Sequence, residues 1–220
     1  MKKIIGSLML VACQMAFAQS TRNVGDFSSL KVYNKINVTL IGSNESKVET
    51  EENDPDIETV NKNGELKIKL SPAKILSGDQ VSVKVFYEKL NDIQASQGSS
   101  ISSSEELDAN MLSLTSNEGS KVNLNLDVSK LNIKTNSGGE IKISGTAHNQ
   151  DVVVNSGGKY FGKEVKSQNT KVTANAGGVA EVNVSESVNA TTRAGGIVEI
   201  YGDPEDRKVK NIIGGKINFH

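Results

Sequence analysis

Asn136-Ser137-Gly138-Gly139 is the stretch that decides the fold, because it returns about every 19 residues to the end of the sequence. It recurs as Asn155-Ser156-Gly157-Gly158, Asn175-Ala176-Gly177-Gly178, Arg193-Ala194-Gly195-Gly196 and Ile212-Ile213-Gly214-Gly215. Two degenerate copies precede it, Ser96-Gln97-Gly98-Ser99 and Asn117-Glu118-Gly119-Ser120. With the last residue of each copy taken as zero, the successive gaps are 21, 19, 19, 20, 18 and 19. Self-similarity at such a period marks a stacked repeat architecture. The residue before zero is glycine in all seven copies, Gly98, Gly119, Gly138, Gly157, Gly177, Gly195 and Gly214. That predicts a corner whose backbone needs positive φ or a close approach.

Moving outward from the corner, the places two and four after zero hold Val122 and Leu124, Ile141 and Ile143, Ala180 and Val182, Val198 and Ile200, and Ile217 and Phe219. Asn123, Lys142, Glu181, Glu199 and Asn218 sit between them, so the pattern is apolar on one face and polar on the other. Six places before zero runs a second column, Ile93, Leu114, Ile133, Val152, Val172, Ala190 and Val209. Each repeat therefore reads as two short strands meeting at a glycine corner. One such unit cannot bury its inner face, whereas a stack of them can. Parallel stacking at about 4.8 Å makes a column of roughly 30 Å from seven rungs. The expected fold is all-β, a right-handed parallel β-solenoid of about seven rungs of 18–21 residues. Three places before zero, Asn117, Asn136, Asn155 and Asn175 line up as an asparagine ladder. Stacked amides at a corner bond one another and the turn backbone; the functional alternative is a row of ligands for a sugar or an ion.

The sequence opens with Met1-Lys2-Lys3, an apolar run from Ile4 to Val11, and Ala16-Phe17-Ala18 before Gln19. This reads as a secretory signal over residues 1–18, removed from the mature protein. Leu10-Val11-Ala12-Cys13 offers the rival of a lipoprotein box with Cys13 lipidated, though the chain stays apolar through Ala18. Cleavage after Ala18 leaves no cysteine, so disulfides and thiolate metal sites are excluded. A net charge of −1 supplies no polycation for nucleic acid, and no later stretch is long and apolar enough to span a bilayer as a helix.

From residue 19 to 95 the pattern stays β while the period is lost. Leu30-Lys31-Val32, Ile36 to Leu40, Leu66 to Leu70 and Val81 to Val85 alternate, separated by turn-rich stretches such as Asn61-Lys62-Asn63-Gly64. This part is expected to start the stack and cover its first rung, with residues 96–220 forming the solenoid proper. The acidic run Glu49, Glu51, Glu52, Asp54, Asp56 and Glu58 reads as a solvated loop; calcium would need hard oxygens, but the spacing lacks the glycine of a calcium loop. Ser103-Ser104-Glu105-Glu106-Leu107 falls between rungs and reads as a loop, as do Thr146 to Gln150 and Asp203 to Arg207.

The opening Asp26-Phe27-Ser28-Ser29-Leu30-Lys31-Val32, the central Leu90-Asn91-Asp92-Ile93-Gln94-Ala95-Ser96, the Ser-Gly-Gly repeats and the closing Ile200-Tyr201-Gly202-Asp203-Pro204 resemble the "putative auto-transporter adhesin, head GIN domain" family of exported Gram-negative proteins. The resemblance covers nearly all of the mature chain. It implies a β-helical fold and an envelope or surface setting, and it brings no catalytic residues. Family repeats often read Ser-Gly-Ser-Gly where this chain has Ser-Gly-Gly or Ala-Gly-Gly.

Tested for chemistry, the chain offers little. His148 and His220 are its only histidines, a poor start for a zinc site, which wants three or four ligands held together. Glu181 and Glu199 share offset three and should stack on adjacent rungs; with nothing to suggest an enclosing cleft they read as an exposed polar face, acid/base work being the alternative. The glycine pairs have no following helix to present amides to a phosphate, and the places two after them hold Val, Ile or Ala where a calcium-binding nonapeptide repeat needs Asp. No cofactor is expected. Phe161 and Tyr201 lie at odd offsets where alternation points outward; with 4% aromatic residues in the chain they are the candidates for a binding face, the alternative being that they fold under a loop. The expected function is thus that of an exported, non-enzymatic adhesion or structural protein, with glycans or surface proteins as partners. The alternative is a carbohydrate-active enzyme on the same scaffold, since a fold does not fix function.

Overall fold

At each glycine corner two consecutive residues, not one, adopt positive φ. Gln97, Glu118, Ser137, Ser156, Ala176, Ala194 and Ile213 lie between 47° and 57°, and the glycines after them between 69° and 79°. Gly139 N donates to Asn136 O at 2.9 Å and closes the tight turn. The glycine amide then points to the next rung: Gly119 N donates to Ser137 O and Gly138 N to Ser156 O, both at 3.2 Å. Sheet-like bonding thus continues through the corner.

The structure is a computed structural model that describes residues 20–50, 55–77 and 80–220. The expected signal, with Cys13, and residues 51–54 of the acidic run lie outside the described residues. The chain is 71% strand and 3% helix, and forms a β-solenoid of about seven turns.

The N-terminal strands belong to the same stack. They are β1 (Ser20–Asn23), β2 (Ser29–Val32), β3 (Asn37–Gly42), β4 (Lys47–Thr50), β5 (Ile57–Lys62), β6 (Glu65–Leu70), β7 (Ser82–Tyr87) and β8 (Asp92–Ala95), with one short helix, α1 (Pro72–Ser77). Here the expectation of a lost period is corrected. Asn34 and Lys35 both have φ 60°, which makes Tyr33-Asn34-Lys35-Ile36 a corner without glycine. Lys35 N donates to Gln97 O at 3.0 Å, just as the glycines bond upward elsewhere. β2 pairs in parallel with β8 (Ser29↔Asp92), so residues 29–42 form a rung whose neighbour in space is far along the chain. The intervening segment runs to the outer side and back. β6 adds to β2 and β7 to β3, both in parallel. β5 pairs β6, β4 pairs β7 and β1 pairs β4, all antiparallel. Asn63 and Gly64, with φ 54° and 77°, make the β5–β6 hairpin turn.

The regular part comprises β9 (Ser100–Asn117), β10 (Lys121–Asn136), β11 (Glu140–Val154), β12 (Lys159–Asn175), β13 (Val179–Arg193), β14 (Ile197–Tyr201), β15 (Asp206–Ile212) and β16 (Lys216–Phe219). The first five run corner to corner as single bent strands, rather than as two short ones. The bend lies where two outward residues adjoin, Ser129 and Lys130 in β10, His148 and Asn149 in β11. Thr146 to Gln150 is therefore strand, not loop. Ser103 to Leu107 is strand as well: the register jumps from Asn123↔Ser102 to Asn125↔Glu106, so a bulge in β9 absorbs the extra length.

Inside, like sits over like. Leu114, Ile133, Val152, Val172 and Ala190 are buried, as are Val122, Ile141, Tyr160, Ala180 and Val198. Each Val, Leu and Ile among them contributes about 1.5–3 kcal/mol by leaving water, and the alanines less. Two further inward places, those of Leu126 and Val128, continue the same alternation past Leu124 and are buried as well. Tyr160 is wholly buried and donates to Gln150 Oε1 at 2.8 Å. A Cβ on Gly162 would meet the Tyr160 ring at 2.5 Å, so that glycine makes room for it. Val209 and Phe219, the last members of their columns among the described residues, are 54% and 38% exposed, with no further described rung over them.

Candidate functional site

The residues singled out by the sequence fall into three groups along the stack. At the corner, the two glycines have different tasks. A Cβ on Gly119, Gly138 or Gly157 would meet nothing within 4 Å, so φ alone selects glycine there. The zero glycines are crowded: a Cβ on Gly139 would lie 2.2 Å from Ser116 O, and one on Gly196 2.1 Å from Ala174 O. In the degenerate copies Ser99 and Ser120 occupy this place, buried, and their hydroxyls donate to the carbonyls of Val32 at 3.1 Å and Ala95 at 2.8 Å.

Beside the corner, Asn136 Nδ2 donates to Asn117 Oδ1 at 2.8 Å, Asn155 to Asn136 at 3.0 Å and Asn175 to Asn155 at 2.8 Å. Asn117 reaches Ser96 Oγ at 3.4 Å. The asparagines spend their amides on one another, which is a structural use. Asn175 Oδ1, where Arg193 takes the next place, is buried with no hydrogen-bond partner among the described residues.

The third group is on the outer side wall. Phe161 stands in register between Lys142 and Glu181, half-buried in its column. It lines an open depression of about 470 Å³, together with Lys142, Lys163, Glu140, Glu164, Glu181 and Asn123. Tyr201 is not a free platform: His220 stacks on its ring at 4.7 Å and 15°, and Lys163 Nζ lies 4.4 Å from its centroid. Lys163 therefore links the two aromatics. Sequence reading missed it because the register shifts between Gly162 and Lys166, and that bulge re-aims the residues inside it.

Glu181 and Glu199 are cross-rung neighbours. Glu199 is taken up by Asn218 Nδ2 at 2.9 Å and His220 Nε2 at 2.7 Å. His220 is thus built into the wall, while His148 borders a separate hollow with Lys166, Gln168 and Asn183. Among the described residues no three His, Cys, Asp or Glu converge as a metal site, and no helix could cross a membrane. The perturbed groups lie elsewhere. Glu65, bonded to Lys31 and Lys67, is held below the ordinary carboxylate range, and Lys31 is raised by that same bond. Burial pushes the Tyr160 and Tyr87 hydroxyls up. An open wall with one aromatic and paired charges can stack and hydrogen-bond a ligand.

The family model described as "Putative auto-transporter adhesin, head GIN domain" matches residues 26–204. Among solved structures, a putative adhesin from Bacteroides fragilis NCTC 9343 is similar with a TM-score of 0.82 and 18% identity, over 92% of this chain and 96% of that one. A putative adhesin from Parabacteroides distasonis ATCC 8503 gives 0.72 and 20%, over 90% and 95%. A putative lipid binding protein from the same organism gives 0.66 and 17%, over 92% and 96%. At these identities the likeness is one of fold. No curated protein matches the chain.

Proposed function

Since the chain belongs to the "Putative auto-transporter adhesin, head GIN domain" family, we propose that it is an exported, non-enzymatic β-solenoid serving adhesion or surface binding at the bacterial envelope. The observation that carries this reading is the Phe161 depression, which is open along the wall instead of enclosed. A half-buried ring flanked by Lys142, Lys163 and Glu181 suits the apolar face and hydroxyls of a glycan, or a protein surface of mixed charge. Phe161 supplies the stacking and Lys163 the polar contact; the Asn ladder and the corners hold the wall rigid.

The test is a glycan array with wild type and Phe161→Ala, followed by a depolymerisation assay. Retained binding that weakens about tenfold in the variant, a typical cost of losing one aromatic anchor, supports the proposal. Binding unaffected by the substitution sinks the assignment of the face. A second reading, a carbohydrate-active enzyme, is favoured by one observation: Glu140, Glu164 and Glu181 share that depression, and paired carboxylates cleave glycosides. Release of products without retained binding would reverse the preference.

A further inference from the structure

Among the described residues, β15 (Asp206–Ile212) is an edge strand paired on one side only. β15 lies in register on β13, from Ser187↔Asp206 to Arg193↔Ile212, and no strand among the described residues pairs its other side. That register carries the alternation outward. Arg207, Val209 and Asn211 continue the buried places of Val188, Ala190 and Thr192, while Asp206, Lys208 and Lys210 face out. Two of the inward places carry polar side chains that are held by contacts within the rung. The Arg207 guanidinium lies 4.6 Å over the Phe219 ring and donates to Pro204 O at 3.0 Å. Asn211 Oδ1 accepts from Gly215 N at 3.1 Å. Val209, between them, is left 54% exposed.

Unpaired amides and carbonyls along such a strand are a template for another strand, and lysines are the usual means of restricting who may add. A second copy of this chain fits badly. The opposite end of the stack carries the antiparallel strands β1, β4 and β5 on its outer side, so head-to-tail stacking would not continue the parallel ladder. Pairing of two β15 edges about Val209 would set Lys208 against Lys210 of the copy, and like charges opposite one another repel. Lys208 has Asp206 at 3.3 Å, whereas Lys210 has no ion pair among the described residues.

We propose that the β15 edge accepts an extended segment of another protein as one more rung, with acidic residues on either side of an apolar one. The apolar side chain covers Val209, and the two carboxylates meet Lys208 and Lys210. Backbone bonds supply the affinity and the alternation supplies the choice. The inference is independent of the Phe161 face.

Two synthetic peptides of equal length, one alternating Glu and Val and the other Lys and Val, test it against the full chain by fluorescence anisotropy and hydrogen exchange. The acidic peptide is expected to bind roughly tenfold more tightly or better at low salt, with the gap narrowing as salt rises. Amides of Asp206–Ile212 should gain protection. The double variant Lys208→Glu with Lys210→Glu changes only exposed side chains, and it should reverse the preference while keeping the wild-type circular dichroism. Absence of binding, equal binding of both peptides, an unreversed preference, or protection elsewhere would each overturn the proposal. So would a concentration-dependent dimer that protects the same amides.

Discussion

Adjacent glycines in one corner are under different constraints, and the difference is measurable. Gly138 is needed for its φ of 73° and Gly139 for lack of room, since a Cβ there would meet Ser116 O at 2.2 Å. Gly138→Ala is predicted to cost about 1–2 kcal/mol through left-handed strain alone. Gly139→Ala should cost about 3 kcal/mol, in the manner of an overpacked core, because the lower rung must move. Urea midpoints of the two variants decide the point; equal costs would mean the rungs are less closely stacked. Gly157→Val, with nothing within 4 Å of its Cβ, isolates the backbone penalty for a β-branched residue. Unchanged melting of that variant would refute the corner.

At the level of elements, the amide ladder and the N-terminal pair can be separated by where they end. Asn136 gives and receives one ladder bond, so Asn136→Ala leaves neighbours on both sides short and should cost about 1–3 kcal/mol. Asn175→Ala removes a single bond and an already unpartnered oxygen, and its loss in thermal stability should be smaller. The β2–β6 pairing carries a pH dependence. Glu65 accepts from Lys31 at 2.5 Å and meets Lys67 at 3.0 Å, so its folded pKa lies below the ordinary 4.5. The native state therefore holds its charge longer than the unfolded chain. The stabilisation is full above 4.5 and is lost as pH falls toward the folded value. Lys31 is raised above 10.5, so its share is present below that and lost as pH climbs through its folded value. Denaturation curves from pH 6 to 3 should fall less steeply for Glu65→Gln. The effect is small, because both partners are partly open to water.

For the whole molecule, stability in a stack is a sum of rungs and their interfaces. Removing Lys121 through Gly139, one complete period, joins Ser120 to Glu140 and leaves every inward column in phase. That deletion is predicted to fold with an unchanged type of circular dichroism spectrum and a lower melting temperature. A deletion half as long, Lys121 to Lys130, throws the corner out of line and should not fold. If both behave alike, neighbouring rungs are not interchangeable and the stack is not modular.

The amino-acid order determined the parts of this protein that repeat. Gly138 and its equivalents, the columns of Ile133 and Ile141, and the file of asparagines are local demands, since a corner needs left-handed backbone and an inner face needs apolar side chains wherever they occur. Tertiary structure decided what depends on contacts between distant segments. Asn34-Lys35 makes a corner without any glycine because β8 and β9, far along the chain, hold it there. Tyr201 is covered by His220 and Lys163 because stacking brings three different rungs to one ring. Lys163 joins the Phe161 depression because a bulge turns it there. Period and polarity are written residue by residue, whereas bulges and out-of-order rungs are settled by which segments gain most by lying side by side.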